Sequence, residues 1–249
     1  MKRLLAAGSG SIYQICRVFR EGERGRLHNH EFTMLEWYRV GFSMFDLIHD
    51  VDQLLRTVCH EQLSLADTHI ISYQSLFESE LDIDPLSADP QQLQAIALEH
   101  GIQDAARLEM QRDDWLDLLM SSCLIPRLGK RQPCFVHGYP ASQAALAQLD
   151  PQEPRIAQRF ELFINGIELA NGYHELRDAA EQARRFQHDL EIREVMGKRS
   201  VPTDQHLLEA LQHGLPACSG VAVGLDRLLL VLSGFESLSD VMTFDSQRA

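Results

Sequence analysis

A chain of 249 residues, 45% hydrophobic and 24% charged, is long enough for one large core and too apolar to be disordered. Its net charge of −13 argues against coating nucleic acid through phosphate contacts, and fits a small-molecule enzyme or a partner of a basic protein. No apolar run approaches the roughly 18 residues of a membrane span and no signal-type h-region is legible. The five cysteines are widely spaced with no C-x-x-C pair, so a reducing cytoplasm is the expected compartment.

In chain order, "MKRLLAAG" reads as the end of a helix stopped by Gly8. "SIYQICRVF" and "FTMLEWYRV" are rich in β-branched and aromatic residues and read as strands. The charged loop Glu21 to His30 joins them, and connections of this length inside a compact domain are usually functional or disordered. From Met44 the period changes: Met44, Ile48, Val51, Leu55 and Val58 mark one face of a helix. Residues 64–130 continue as helices broken at Pro85, Pro90 and Pro126, with few chemistry-bearing side chains, and about 44–130 form a connecting segment.

Strand signals return in "PCFVHGYP" and in "RFELFINGIELANGYHEL", whose Asn165-Gly166 pair is a strong hairpin signal. Asp178 caps a helix reaching about Met196, and another helix covers about 205–213. "CSGVAVGLDRLLLVLSG" is a strand of small residues, then Gly224, then an apolar helix. Hairpins separated by helices predict an α+β fold on a mainly antiparallel sheet, with residues 1–249 as one domain. "GSGS" at 8–11 precedes a strand and lacks a third glycine, so it is no dinucleotide loop.

Three clusters can carry chemistry. In the first hairpin Arg20 ends a strand, where its guanidinium can fork onto a phosphate, and His28 and Asn29 lie close by. Phe32, Met34, Glu36 and Tyr38 then share one strand face, and a carboxylate there calls for a cation. A solvated loop with Arg20 paired to Glu36 is the bland alternative. In the second hairpin Glu161 and Glu168 stand on opposite arms, a donor type suited to magnesium shared with phosphates, while Asn171, Tyr173 and Glu175 share a face. Glutamates simply pointing outward is the alternative there. In "GVAVGLDR", small residues permit close approach of a ligand, and Arg227 in a helix's first turn opposes the dipole unless an anion is near. Plain close packing is the alternative. His28-x-His30 has no third ligand in view, and Ser142 has no assigned base.

These clusters, in this order, resemble the class II aminoacyl-tRNA synthetase catalytic domain. "FREGERGRLHNHEFTMLEWY" is similar to its motif 2 (about 17–38), "GVAVGLDR" to its motif 3 (about 219–233), and "GIELANGYHEL" to the lysine-binding segment of lysyl-tRNA synthetases. "IDPLSAD", "YPASQAALAQ" and "CSGVAVGLDRL" bring the resemblance closer to the freestanding lysyl-tRNA synthetase paralogues, the elongation factor P–(R)-β-lysine ligases. That resemblance implies an ATP-dependent, magnesium-assisted ligase. It would activate (R)-β-lysine or lysine as an adenylate and pass it to a lysine side chain of elongation factor P. It also implies roles. Arg20 would hold the α-phosphate in the transition state, with Glu21 or Glu23, His28, Asn29 and Phe32 around ATP. Arg227, catalytic with Arg20, would lie at the γ-phosphate end, and Gly224 would lie by ATP. Glu161 and Glu168 would hold magnesium, and Glu161 would also lie by ATP. Glu36, Tyr38, Asn171, Tyr173, Glu175 and Ala222 would line the amino-acid pocket. Ala222 stands where the lysyl enzymes have glycine, a small steric lever between α- and β-lysine.

Two departures shape the expectations. Motif 2 commonly runs Phe-Arg-Asn-Glu, whereas Gly22 here occupies the glutamate position. By resemblance the family also has about 75 residues before "MKRLL", half a domain on usual sizes. They include a Ser-Pro-Glu loop and motif 1, which builds the family homodimer, so dimerisation is not expected of this chain alone. No anticodon-binding region is legible, so tRNA is not the expected acceptor. A lysyl-tRNA synthetase-like fragment, or a remnant that binds ATP or a partner without turnover, are the alternatives.

Overall fold

The computed structural model describes residues 1–59, 65–130 and 132–245, so residues 60–64 of the expected connecting segment lie outside the described residues. Seven strands form one sheet: β1 (Ile12–Phe19), β2 (Glu31–Val40), β3 (His69–Ser72), β4 (Cys134–His137), β5 (Arg159–Ile164), β6 (Ile167–His174) and β7 (Cys218–Gly224). Their spatial order is β1-β2-β7-β6-β5-β4-β3. Every neighbouring pair is antiparallel except β3–β4. The α+β expectation on a mainly antiparallel sheet holds.

Helices cover the sheet unevenly, and that unevenness positions the site. On the back face lie α2 (Met44–Cys59) and α8 (Leu225–Ser233). Leu47, Ile48, Val51 and Leu55 of α2 pack there on Trp37, Phe160, Leu162, Val221 and Val223. The four-and-three spacing predicted this face, except that α2's last turn buries Cys59 and leaves Val58 exposed. On the front face, α3 (Tyr73–Leu81), α4 (Pro90–Glu99) and α5 (Arg112–Leu119) build a second core over the β3–β5 side. Tyr73, Phe77, Trp115 and Leu116 meet Val136 and Phe163 in it. At the opposite side α1 (Lys2–Ala6) and α7 (Gln205–His213) close a small core through Leu5, Leu211 and Tyr38. Between these two walls the front of β2, β7 and β6 stays open.

Local rules account for most boundaries. Asp178 caps α6 (Ala179–Val195), accepting from the Ala180 and Glu181 amides at 2.8 and 3.0 Å. Asn165-Gly166 turns β5 into β6 with both residues at positive φ. Two details of the helical segment differ from expectation. Pro90 starts α4 rather than breaking a helix, behind an Asp89 cap in a box with Gln92. The stretch HIIS, expected to be helical, is the edge strand β3 paired in parallel with β4.

Candidate active site

One register row crosses the whole sheet. Gln14, Glu36, Ala222, Asn171, Glu161, Val136 and Ile71 are successive partners from β1 to β3. Partners in register point to the same side, so the three sequence clusters meet on the open front face. Strict alternation would put Glu168 and Asn171 on opposite faces of β6. The pairing instead jumps from Phe163↔Glu168 to Leu162↔Ala170, leaving Leu169 as an extra residue. This bulge turns Leu169 into the back core and keeps Glu168 on the same side as Glu161, Asn171 and Tyr173.

At one end of this face is an open cleft. Arg20, Glu23, His28, Asn29 and Phe32 wall it from the first hairpin; Glu168, Asn171, Ala222, Gly224 and Arg227 wall it from β6, β7 and α8. Arg20 lies just past β1, its amide donating to His30 O at 2.9 Å and its guanidinium 5.3 Å from the centre of the Phe32 ring. It pairs with Glu23 at 3.4 Å, not with Glu36. Gly22 has φ +80°, a left-handed turn that glycine adopts without strain. Beyond that turn Glu23 faces Arg20 and the cleft, while exposed Glu21 is not part of the cleft wall.

Arg227 reaches from the first turn of α8 into the cleft. Its guanidinium donates to Leu27 O at 3.1 Å, Glu168 O at 2.9 Å and the Glu168 carboxylate at 3.3 Å. The anionic neighbour expected of an arginine at this helix end is thus Glu168. Asp226 accepts from the Thr33 amide and ties that turn to β2. Burial, then the Arg227 cation, lowers the His28 pKa and favours its neutral ring.

At the other end the groups are paired, and Lys2, Tyr38 and Glu175 among them are buried. The Tyr38 hydroxyl donates to Glu36 at 2.6 Å, and Gln14 donates to the other Glu36 oxygen at 3.3 Å. Glu175 is buried and forms an ion pair with Lys2 of α1. Burial pushes the Glu175 pKa up to about 7, Lys2 pulls it down, and Glu36 pushes it up. Gly220 makes the packing possible: a Cβ there would overlap the Tyr38 ring and stand 2.7 Å from Glu175 Oε1. Tyr173 pairs in register with Gly220 and Arg159 on the same face.

Sequence reasoning missed a half-buried arginine between the two ends. Arg159 donates to Glu161, to Gln143 O at 2.7 Å and to Asn171 Oδ1 at 3.3 Å, and stacks 4.5 Å from the centre of the Tyr139 ring. Tyr139 donates to the second Glu161 oxygen at 2.7 Å. The only available signal was that Arg159 shares the alternation phase of Glu161. Lys2 was missed too, because the first helix showed no partner in sequence.

The donor chemistry fits a hard divalent cation. Burial, then the neighbouring Glu161 charge, raises the Glu168 pKa against the pull of Arg227, and a cation between the two carboxylates would relieve that strain. Among the described residues no group of three or more metal-ligating side chains converges, so the remaining ligands would have to be water or phosphate oxygens. Also among the described residues, no helix is long and apolar enough to cross a membrane.

Similarity to known proteins identifies the family. The profile of tRNA synthetases class II (D, K and N) matches residues 1–248. The chain is 50% identical over all 249 residues to the elongation factor P–(R)-beta-lysine ligase of Edwardsiella ictaluri, covering 75% of that protein. It is 48% identical over the same 249 residues to the protein of that name in Pseudoalteromonas translucida, covering 76% of it. For the one in Salmonella dublin the figures are 49% and 75%, again with the whole of this chain matched. The register row, the charged cleft and the match across essentially every residue make this chain a member of the class II tRNA synthetase family of the D, K and N type.

Proposed function

We propose that the chain uses ATP to activate (R)-β-lysine or lysine as an aminoacyl-adenylate and transfers the aminoacyl group to a lysine side chain of elongation factor P. One observation carries this reading: a single open sheet face joins an arginine-walled cleft to a carboxylate–tyrosine pair, in a chain whose relatives bear that ligase name.

In the first step a substrate carboxylate oxygen attacks the α-phosphorus, the new P–O bond forms, and pyrophosphate leaves. The protein's part is positioning and charge neutralisation. Arg20 binds the α-phosphate and the charge that develops on it. Phe32 offers a ring face to adenine, with Glu23, His28, Asn29 and Gly224 around the nucleotide and Arg227 at its γ-phosphate end. Magnesium, when bound, would lie on Glu161 and Glu168 and offset phosphate charge. Glu36 receives a substrate ammonium, while Tyr38, Asn171, Tyr173, Glu175 and Ala222 shape that end. In the second step a lysine amine attacks the acyl carbon, AMP leaves, and an amide forms with loss of a proton. The whole described chain acts as one catalytic domain in this reading.

Pyrophosphate exchange that depends on β-lysine, followed by a mass gain on elongation factor P, is the expected result. Exchange with neither lysine isomer at high protein concentration overturns the reading, and stable charging of tRNA would replace the acceptor.

A further inference from the structure

Tyr139 stands just past the end of β4, buried, and its hydroxyl donates to one oxygen of Glu161 at 2.7 Å. The other Glu161 oxygen accepts from Arg159, so each oxygen of this carboxylate already holds one donor from the protein. An ionised carboxylate has about four lone-pair sites, which leaves Glu161 acceptor capacity for a cation. A free glutamate side chain is rotamer-rich, whereas this one is pinned before any ligand arrives. The pinning groups are themselves held. The Tyr139 carbonyl accepts from the Ala157 amide at 2.8 Å. Its ring meets the Arg159 guanidinium at 4.5 Å and the Tyr73 ring at 4.8 Å, with Phe77 stacked on Tyr73 at 4.5 Å. Arg159 is anchored in turn by the Gln143 carbonyl at 2.7 Å. We propose that Tyr139 is a positioning residue for the divalent cation: its hydroxyl aims the Glu161 carboxylate, and so carries the rigidity of the front helical core to the metal.

This rests on the metal assignment made above and deepens it. A plainer account would have Glu161 merely satisfying a buried phenol. Tyr73 argues otherwise: it is buried more deeply in the same stack, yet its hydroxyl has no hydrogen-bond partner among the described residues. The stack leaves one phenol unsatisfied and commits the other to a carboxylate on the open sheet face. Arg159 orients Glu161 only by neutralising it, whereas the Tyr139 hydroxyl orients it and leaves its charge intact. Glu168 is matched likewise by Arg227 at 3.3 Å. Each carboxylate thus has its own guanidinium, and the group carries no excess negative charge. Orientation is therefore what makes Glu161 a ligand, and the nucleotide phosphates supply the remaining attraction.

The test is an Mn2+ titration followed by electron paramagnetic resonance, on the whole chain with a non-hydrolysable ATP analogue present. Tyr139→Phe keeps the stacked ring and removes only the hydroxyl. It should weaken Mn2+ binding about tenfold, the lower end of what losing a ligand's hydrogen-bond partner costs. Binding of the analogue in EDTA, with no metal, should stay unchanged. Tyr73→Phe removes an unpartnered hydroxyl from the same stack and should leave Mn2+ affinity as it is. In a Glu161→Gln background Tyr139→Phe should add no further loss, because the hydroxyl acts only through that carboxylate. Unaltered Mn2+ affinity in Tyr139→Phe overturns the proposal. An equal loss in Tyr73→Phe, or a parallel loss of metal-free nucleotide binding, also overturns it, since either marks disturbed packing.

Pyrophosphate exchange gives a second readout. The Mg2+ concentration for half-maximal exchange should rise by the same factor in Tyr139→Phe, and high Mg2+ should restore the native maximal rate. A maximal rate that Mg2+ does not restore overturns the proposal. If the native protein exchanges with neither lysine isomer, the proposed activity falls and the Mn2+ titration still decides the role of Tyr139. If it exchanges but binds no Mn2+ beside the analogue, the activity stands and the role of Tyr139 falls.

Discussion

The two ends of the front face are built differently. At the end proposed for the nucleotide the charges ride on a loop and a helix start; Arg20 and Glu23 are 53% and 36% exposed. At the amine end Lys2 and Glu175 are 9% and 1% exposed, and Glu36 is held by Tyr38 and Gln14. An exposed arginine costs folding little and is ordered by the phosphate it meets. A buried carboxylate must be matched during folding itself, or it stays protonated. On the proposed function, one end would therefore be organised by its ligand and the other by the fold. Substitutions at the first should cost activity alone, whereas substitutions at the second should cost activity and stability together.

Arg20→Ala is the sharpest way to break this contrast. Loss of a charge-assisted donor to the reacting phosphate should reduce kcat/KM for exchange by about 100- to 1,000-fold. Stability should change by no more than about 1 kcal/mol, because the Glu23 partner is solvated. A melting temperature that falls along with activity would show that the nucleotide end is also organised by the fold. Glu36→Gln comes next. The amide can still accept from Tyr38 but no longer balances an ammonium, so the amino-acid KM should rise about 10- to 100-fold with the ATP KM unchanged. Parallel losses in both constants would place Glu36 outside the amine end.

Gly220→Ala tests the fold side of the comparison by denaturant unfolding. The added methyl overlaps the Tyr38 ring and approaches Glu175 to 2.7 Å, both in a buried nest. Overpacking of this kind should cost about 1–3 kcal/mol. The same substitution at Gly22 is informative by contrast. Its Cβ meets nothing within 4 Å, and only the φ of +80° is strained, so the cost should be about 1 kcal/mol, with Glu23 displaced from Arg20.

Much of this was legible in the sequence because the signals are local. Asn165-Gly166, the Asp178 cap and the α2 periodicity each specify an element within a few residues. The rest depended on long-range pairing. β3 is four residues long, too short for a period, and is a strand because β4 offers an edge to it. Alternation places Glu168 and Asn171 on opposite faces, and the bulge at Leu169 carries no glycine or other mark that would reveal it. Lys2 and Arg159 belong to the site through partners more than a hundred residues away and at strand neighbours, respectively. The role of Gly22 emerged only from its backbone: it is what turns Glu23 toward Arg20.

Ala222→Gly should have the smallest effect and bears on the seam between the two ends. Ala222 sits in register between Glu36 and Asn171, and it also lines the cleft. On the proposed assignments its methyl would touch whatever bridges an ammonium at Glu36 and a carboxylate approaching the α-phosphate. In β-lysine the amino group is one carbon further from the carboxylate than in α-lysine, so the backbone of the substrate crosses this methyl differently. Removing it should shift the ratio of kcat/KM for the two isomers by about 10-fold or less, the scale of one methyl group in a pocket. Glycine adds little strain here, because β7 is held on both sides by β2 and β6. Steady-state exchange with each isomer separately reads the ratio directly. An unchanged ratio with both rates altered would mean that the methyl packs the sheet rather than the substrate, and that discrimination lies with Tyr38, Tyr173 and the Lys2–Glu175 pair.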